Sequence, residues 1–166
     1  MTFSPELEQR LAKLMVSYPE GRTRSALIPM LLYCQDEVGH LSEEVILECA
    51  RRLGISRLQV DEVIGYYSML HRKPIGKFHV QVCTNICCTL VGGQELYEHA
   101  ERVLGIGHKQ VTEDGLFSLE EVECIGACSW APAIQVNYDF HHKVTPERLT
   151  QLLEDVRRAQ GPQQVS

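Results

Sequence analysis

The sequence predicts an α+β fold in two parts, a small N-terminal helical bundle over 1–73 followed by a small α/β unit over 77–160, with a disordered tail at 161–166. Three observations carry that prediction. Apolar residues in the first part recur every three or four positions, the period of a helix with one buried face. After HRKPIGK, where Pro74 and Gly76 punctuate the chain, Phe78, Val80 and Val82 alternate with His79 and Gln81, the period of a strand half buried in a sheet. Five of the seven cysteines then fall at strand ends and in loops of the second part.

The first helix opens at Ser4-Pro5, because proline is tolerated where the first N–H groups of a helix lack partners, and its stripe is Leu7, Leu11, Leu14, Met15 and Tyr18. Ser25 is placed to cap a second, with Leu27, Met30, Leu31, Cys34 and Val38 inward, Pro29 near its start and Gly39 at its end. Ser42, followed by Glu43 and Glu44, starts a third with Val45, Ile46, Cys49 and Leu53 inward and Gly54 as its stop. Ser56 and Gln59 read as a capping box for a fourth, which carries Val60, Val63, Ile64 and Tyr67. Connections this short specify a bundle. In the second part, a helix from Gly93 to Leu104 follows the first strand and stops at Gly105. Strands follow in FSLEEVEC (117–124) and AIQVN (133–137), with an edge strand within 138–144. Thr145-Pro146-Glu147 caps a last helix with Leu149, Leu152, Leu153 and Val156 inward.

With 166 residues, 44% of them hydrophobic, the chain can bury one good core or two small ones. A net charge of −6 without any Lys/Arg run gives no footprint for nucleic acid. The start, MTFSPELEQRLAKLM, carries acids and no continuous apolar run, unlike a secretory or transit peptide. No segment approaches the ~20 apolar residues that span a bilayer. The expectation is a cytoplasmic protein, peripheral to a membrane only through a partner. An odd cysteine count in a reducing compartment points to metal or redox chemistry rather than disulfides. Without a G-x-G-x-x-G after a strand, or a P-loop, nothing in the chain reads as a nucleotide site.

Cys34 and Cys49 lie in helical stripes and read as inert core residues. The other five are grouped. Four residues separate Cys83 from Cys88, three separate Cys124 from Cys128, and Cys87 stands beside Cys88. Each pair follows a predicted strand and has glycine nearby, Gly92-Gly93 or Gly126, so two loops at one sheet edge can bring four thiolates together. A [2Fe-2S] cluster takes two ligands on each iron, and glycine lets backbone N–H groups approach its sulfurs. A four-cysteine zinc module is the rival of another class, although zinc ribbons favour tighter C-x2-C knuckles. A Rieske centre would need two histidine ligands, and no C-x-H pair occurs. A dithiol oxidoreductase would use C-x-x-C at a helix start, which is also missing. Around this constellation, Trp130 reads as packing, Glu120, Glu121 and Glu123 as a wet strand face, His141-His142 as a solvated edge, and Tyr66-Tyr67 as bundle core and interface.

CTNICCTL followed by CIGACSWAPAIQVN resembles the thioredoxin-like [2Fe-2S] subunit of the NADH dehydrogenase module of respiratory complex I, with relatives in NAD-linked hydrogenases and formate dehydrogenases. SALIPMLLYCQDEVGHLS and VDEVIGYYSMLHRKPIGK match that family's helical domain, and LTQLLEDV its final helix, so the resemblance covers nearly the whole chain. It implies a thioredoxin-like [2Fe-2S] ferredoxin domain for the second part, with a cis proline at Ala131-Pro132. The family pattern, C-x4-C-x-Leu and C-x-G-x-C, places the ligands at Cys83, Cys88, Cys124 and Cys128. Cys87 is the departure, pointing into packing or toward solvent. The resemblance further implies a flavoprotein partner that takes hydride from NADH onto FMN, and larger iron-sulfur subunits in the same NADH:quinone oxidoreductase. This chain then exchanges single electrons and holds no complete active site alone. The equivalent diaphorase subunit of a hydrogenase or formate dehydrogenase is the alternative. With no Arg or Lys in either ligand loop, the cluster is expected at low potential.

Overall fold

The computed structural model describes residues 3–160; the segment 161–166, expected as a disordered tail, lies outside the described residues. The chain divides into two units, Met1–Pro74 and Ile75–Ser166.

The first unit contains α1 (Pro5–Val16), a 3-10 turn (Thr23–Ala26), α2 (Leu27–Val38), α3 (Glu43–Leu53) and α4 (Arg57–Tyr66). Three starts are capped as their sequences require. The Ser4 hydroxyl accepts from the Leu7 N–H at 3.1 Å, and Ser42 accepts from the Val45 N–H at 3.4 Å. In the capping box of α4, the Gln59 side chain accepts from the Ser56 N–H at 2.9 Å while Ser56 accepts from the Gln59 N–H at 3.3 Å. The fourth start differs from expectation. Ser25 lies inside the 3-10 turn, and α2 begins after Ala26 with no side-chain cap, because the turn itself feeds the helix. Gly39 (φ 87°) and Gly54 (φ 64°) end α2 and α3 in the left-handed conformation that a side chain would resist. Leu7, Leu11, Met30, Leu31, Val45, Ile46 and Val60 fill a single core. Tyr66 does not join it: the ring is 82% exposed and meets Tyr67 edge-on at 5.1 Å, since α4 ends there and turns Tyr66 outward.

The second unit runs β1 (Phe78–Cys83), α5 (Ile86–Thr89), α6 (Gly93–Leu104), β2 (Gln110–Val111), β3 (Phe117–Val122), a 3-10 turn (Cys128–Trp130), β4 (Ile134–Val136), β5 (Asp139–His141) and α7 (Pro146–Gln160). The sheet order is β2-β3-β1-β4-β5, with β1 and β3 parallel and the other pairs antiparallel. Val80, Val82, Phe117, Leu119 and Ile134 pack with Leu96 and Ala100 of α6 and Leu149 and Leu153 of α7. The peptide bond at Ala131-Pro132 is cis.

On the alternate positions of β1 and β3, His79 lies opposite Ser118 and Gln81 opposite Glu120. Here the wet-face reading fails for one residue. Glu120 is 3% exposed, with its carboxylate 3.0 Å from His79 Nε2 and accepting from the Gln81 amide at 2.9 Å, while His79 Nδ1 meets the Ser118 hydroxyl at 2.8 Å. A buried carboxylate needs such partners, and the parallel register supplies them. Glu121 and Glu123 are exposed as expected. Among the described residues, no helix is long and apolar enough to cross a membrane.

Candidate metal centre

Parallel pairing decides where the cysteines meet. Strands β1 and β3 run the same way, so the chain leaves both at one edge: Cys83 ends β1 opposite Val122, the last residue of β3, and Cys124 follows two positions later. The Thr84 N–H continues the ladder to the Val122 carbonyl at 3.1 Å. Strand β4 is antiparallel to β1 and starts at this edge, where the Cys83 N–H donates to the Ala133 carbonyl at 3.2 Å. The turn carrying Cys128 enters there too.

The first loop closes immediately after β1. Asn85 accepts from the Ile86 N–H at 2.9 Å and starts the single turn of α5, and the Thr89 hydroxyl donates back to the Thr84 carbonyl at 2.8 Å. That turn buries Cys88 and exposes Cys87. Gly93, at the start of α6, lies against the same backbone: a Cβ there would sit 2.7 Å from the Cys88 carbonyl carbon and 2.9 Å from the Cys83 carbonyl oxygen, so only glycine fits. In the second loop Gly126 takes φ 74°, and its N–H donates to Cys124 Sγ at 3.3 Å. Cys83 is buried like Cys88, whereas Cys124 and Cys128 are exposed.

The thiols sense one another. Burial pushes the Cys88 thiol up to about 11, the Ala133 backbone opposes that with a hydrogen bond, and Cys83 in hydrogen-bonding contact adds to the rise. Cys128 is raised as well, first by the Cys87 thiol and then by burial and by Cys124 and Cys83. Each would lose its proton more readily to a bound metal than to water. Beside the second loop, Trp130 is half exposed and stacked on His142 at 5.1 Å and 24°, with Phe140 next to that ring. His141 and His142 therefore differ: the first is partly buried, which lowers its pKa, and the second serves as a stacking partner.

Ala133, Asn85 and Thr89 do not stand out as site residues in the sequence. Asn85 carries a usable signal, a capping residue just before Ile86-Cys87-Cys88, whereas the Ala133 contact depends on cross-strand register. Among the described residues, no three His, Cys, Asp or Glu side chains converge on a point that would hold a single metal ion. The donor set is spread over two loops. Four thiols from paired loops, a glycine whose missing Cβ leaves the backbone free to approach, and N–H groups aimed at sulfur fit a dinuclear iron-sulfur cluster. A separate hollow of about 330 Å³ in the helical unit is lined by Glu8, Leu11, Met15, Met30, Arg51 and Arg52, whose charges already pair among themselves and with Glu48.

Residues 11–157 match the family described as thioredoxin-like [2Fe-2S] ferredoxin. An NADH-quinone oxidoreductase subunit (E 2) of Rhizobium meliloti is 42% identical over 96% of this chain and 92% of its own length. The NADH-quinone oxidoreductase subunit 2 of Thermus thermophilus is 40% identical over 95% of this chain and 87% of its own. In fold, a chain of an NAD+-reducing [NiFe]-hydrogenase superposes with a TM-score of 0.70 at 18% identity, over 84% of this chain and 24% of that one. With cysteine loops meeting at one sheet edge and a family match over nearly its whole length, the chain belongs to the thioredoxin-like [2Fe-2S] ferredoxins.

Proposed function

We propose that this chain is a one-electron subunit of an NADH:quinone oxidoreductase, carrying one [2Fe-2S] cluster on Cys83, Cys88, Cys124 and Cys128 beside a partner flavoprotein that binds NADH and FMN. The observation that carries this reading is the meeting of both cysteine loops at the edge where β1 and β3 end, in a chain 42% identical to an NADH-quinone oxidoreductase subunit. When bound, the cluster supplies reversible one-electron chemistry. The chain's residues do the rest. Buried Cys83 and Cys88 keep water from the inner side, and the Gly126 N–H and Ala133 backbone at the sulfurs of Cys124 and Cys88 favour added negative charge. Exposed Cys124 and Cys128, with Ile86, Leu90, Val91 and Trp130 also exposed, mark the side where an electron partner approaches. Larger iron-sulfur subunits complete the assembly, which holds this chain peripheral to the membrane.

Anaerobically purified protein is expected to be red-brown with about two irons and two sulfides per chain. Stoichiometric zinc and no visible absorption would replace this reading with a structural module. Affinity purification from the native cell separates the parent complexes: an NADH-oxidising flavoprotein together with quinone reductase activity supports the proposal, and hydrogenase or formate dehydrogenase activity assigns the chain to a diaphorase.

A further inference from the structure

In the helical unit, the side chains of Cys34 on α2 and Cys49 on α3 meet with their sulfurs 3.9 Å apart, and both residues are 0% exposed. Each lies in an apolar stripe of its own helix, and nothing in either stripe signals that the two touch; the α2–α3 pairing brings them together. Met30, Leu31, Val45 and Ile46 belong to the same core cluster, so the thiols lie among aliphatic side chains with each other as hydrogen-bonding partner. Arg52 stands one turn along α3 from Cys49, its guanidinium held at 2.7 Å by both Glu8 and Glu48. The hydrogen bond from Cys34, and after it the field of Arg52, favour the thiolate at Cys49 against the opposing effect of burial.

We infer that Cys34 and Cys49 form a redox modification site, a buried dithiol that hydrogen peroxide closes to an intrachain disulfide tying α2 to α3. Full burial selects the oxidant: only a molecule near the size of water reaches these sulfurs through small openings of the native core. Cys49, the sulfur nearer Arg52 in sequence, attacks one peroxide oxygen. The O–O bond breaks, Cys49 becomes a sulfenic acid, and the departing oxygen leaves as water with the thiol proton. The Cys34 sulfur then attacks Cys49, the S–O bond breaks, the S–S bond forms, and a second water carries away the remaining proton. Two thiols lose two electrons in total, and the peroxide gains them. From 3.9 Å the sulfurs must close to a bond of about 2 Å. The site does not depend on the cluster or on the function proposed above.

The test uses the full-length, cluster-loaded protein, exposed to graded hydrogen peroxide, quenched with catalase, alkylated and digested without reductant. Mass spectrometry is expected to find one linked peptide pair containing Cys34 and Cys49, lighter by two hydrogen atoms, while the helical circular dichroism is unchanged. Dithiothreitol restores the two free peptides, and the linked pair falls to zero in Cys34→Ala and in Cys49→Ala. Thermal unfolding of the oxidised wild type is expected above that of the reduced protein. Recovery of both cysteines as separately alkylated or separately over-oxidised residues, with helicity intact, overturns the inference. So does a link that forms only after helicity is lost. Peroxide damage to the cluster is followed by visible absorption in the same samples and does not enter the assignment, because the Cys34 and Cys49 peptides are read independently.

Discussion

Cys87 and Cys88 share a peptide bond and almost nothing else. One turn of helix after Asn85 sends Cys88 inward beside Cys83 and leaves Cys87 exposed, in contact with Cys128. Replacing Cys88 by serine is therefore expected to lower iron content and alter the EPR spectrum of the reduced protein, because an alkoxide is a poor substitute for thiolate on iron. Cys87→Ser should leave both nearly unchanged; the reverse pattern would exchange the two assignments. Glu120 offers a second test at this scale. Burial alone would raise its carboxyl, but hydrogen bonds from His79 and Gln81 and the charges of His79 and Lys109 outweigh that and hold it at about 2, against an ordinary 4.5. A carboxyl depressed by folding stabilises the native state above its unfolded value and loses that contribution as pH falls through the folded one. The window is thus from about 4.5 down to about 2. Denaturant unfolding measured across that window should show a steep acid loss for the wild type and a flatter one for Glu120→Gln.

Among the elements, the long helices follow from their caps and stripes because twelve or so residues give periodicity room to repeat. The short pieces do not. The single turn of α5 is held by a bond inside its own loop, Thr89 to Thr84, and the two residues of β2 and the turn at Cys128 by bonds from more distant segments, Lys109 to Leu119 and Lys143 to Trp130, rather than by any repeating pattern. Yet α5 and the Cys128 turn are the elements that hold thiols in place. The start of α6 depends on Gly93 having no side chain, since the backbone of Cys83 and Cys88 occupies the space a Cβ needs. Gly93→Ala is expected to shift this junction and reduce iron retention to a small fraction of wild type, with the helical signal of the first unit preserved. Full iron loading in that variant, measured colorimetrically, would mean the loop relaxes without disturbing its cysteines.

For the whole molecule, each unit has a core of its own, Leu11, Met30 and Ile46 in one and Phe117, Leu119 and Ile134 in the other. A fragment comprising 75–166 is accordingly expected to fold and to bind iron at the level of the full chain, which iron analysis and visible absorption of the purified fragment will check. Loss of the cluster from that fragment would show that the units depend on each other. Removing residues 1–20 tests the other unit, because Leu7 and Leu11 of α1 are fully buried and Glu8 pairs with Arg52 at 2.7 Å. The truncation is expected to unfold the helical unit, seen as a loss of helical circular dichroism larger than the twelve residues of α1 account for.

Neighbours in the chain are enough to specify the helix starts at Ser4, Ser42 and Ser56, the change from helical to strand period after Lys77, and the grouping of five cysteines around two glycine-bearing loops. Capping chemistry and periodicity act directly between such residues, so these features are legible without any knowledge of the fold. Register between distant segments is not. The parallel pairing of β1 with β3 buries Glu120 against His79, and the packing of α2 on α3 brings Cys34 within 3.9 Å of Cys49. The edge where β4 begins aims the Ala133 backbone at Cys88 in the same way. A side chain's hydropathy says that it will be inside, but not which neighbour it will find there, because that neighbour is chosen by how whole elements pack.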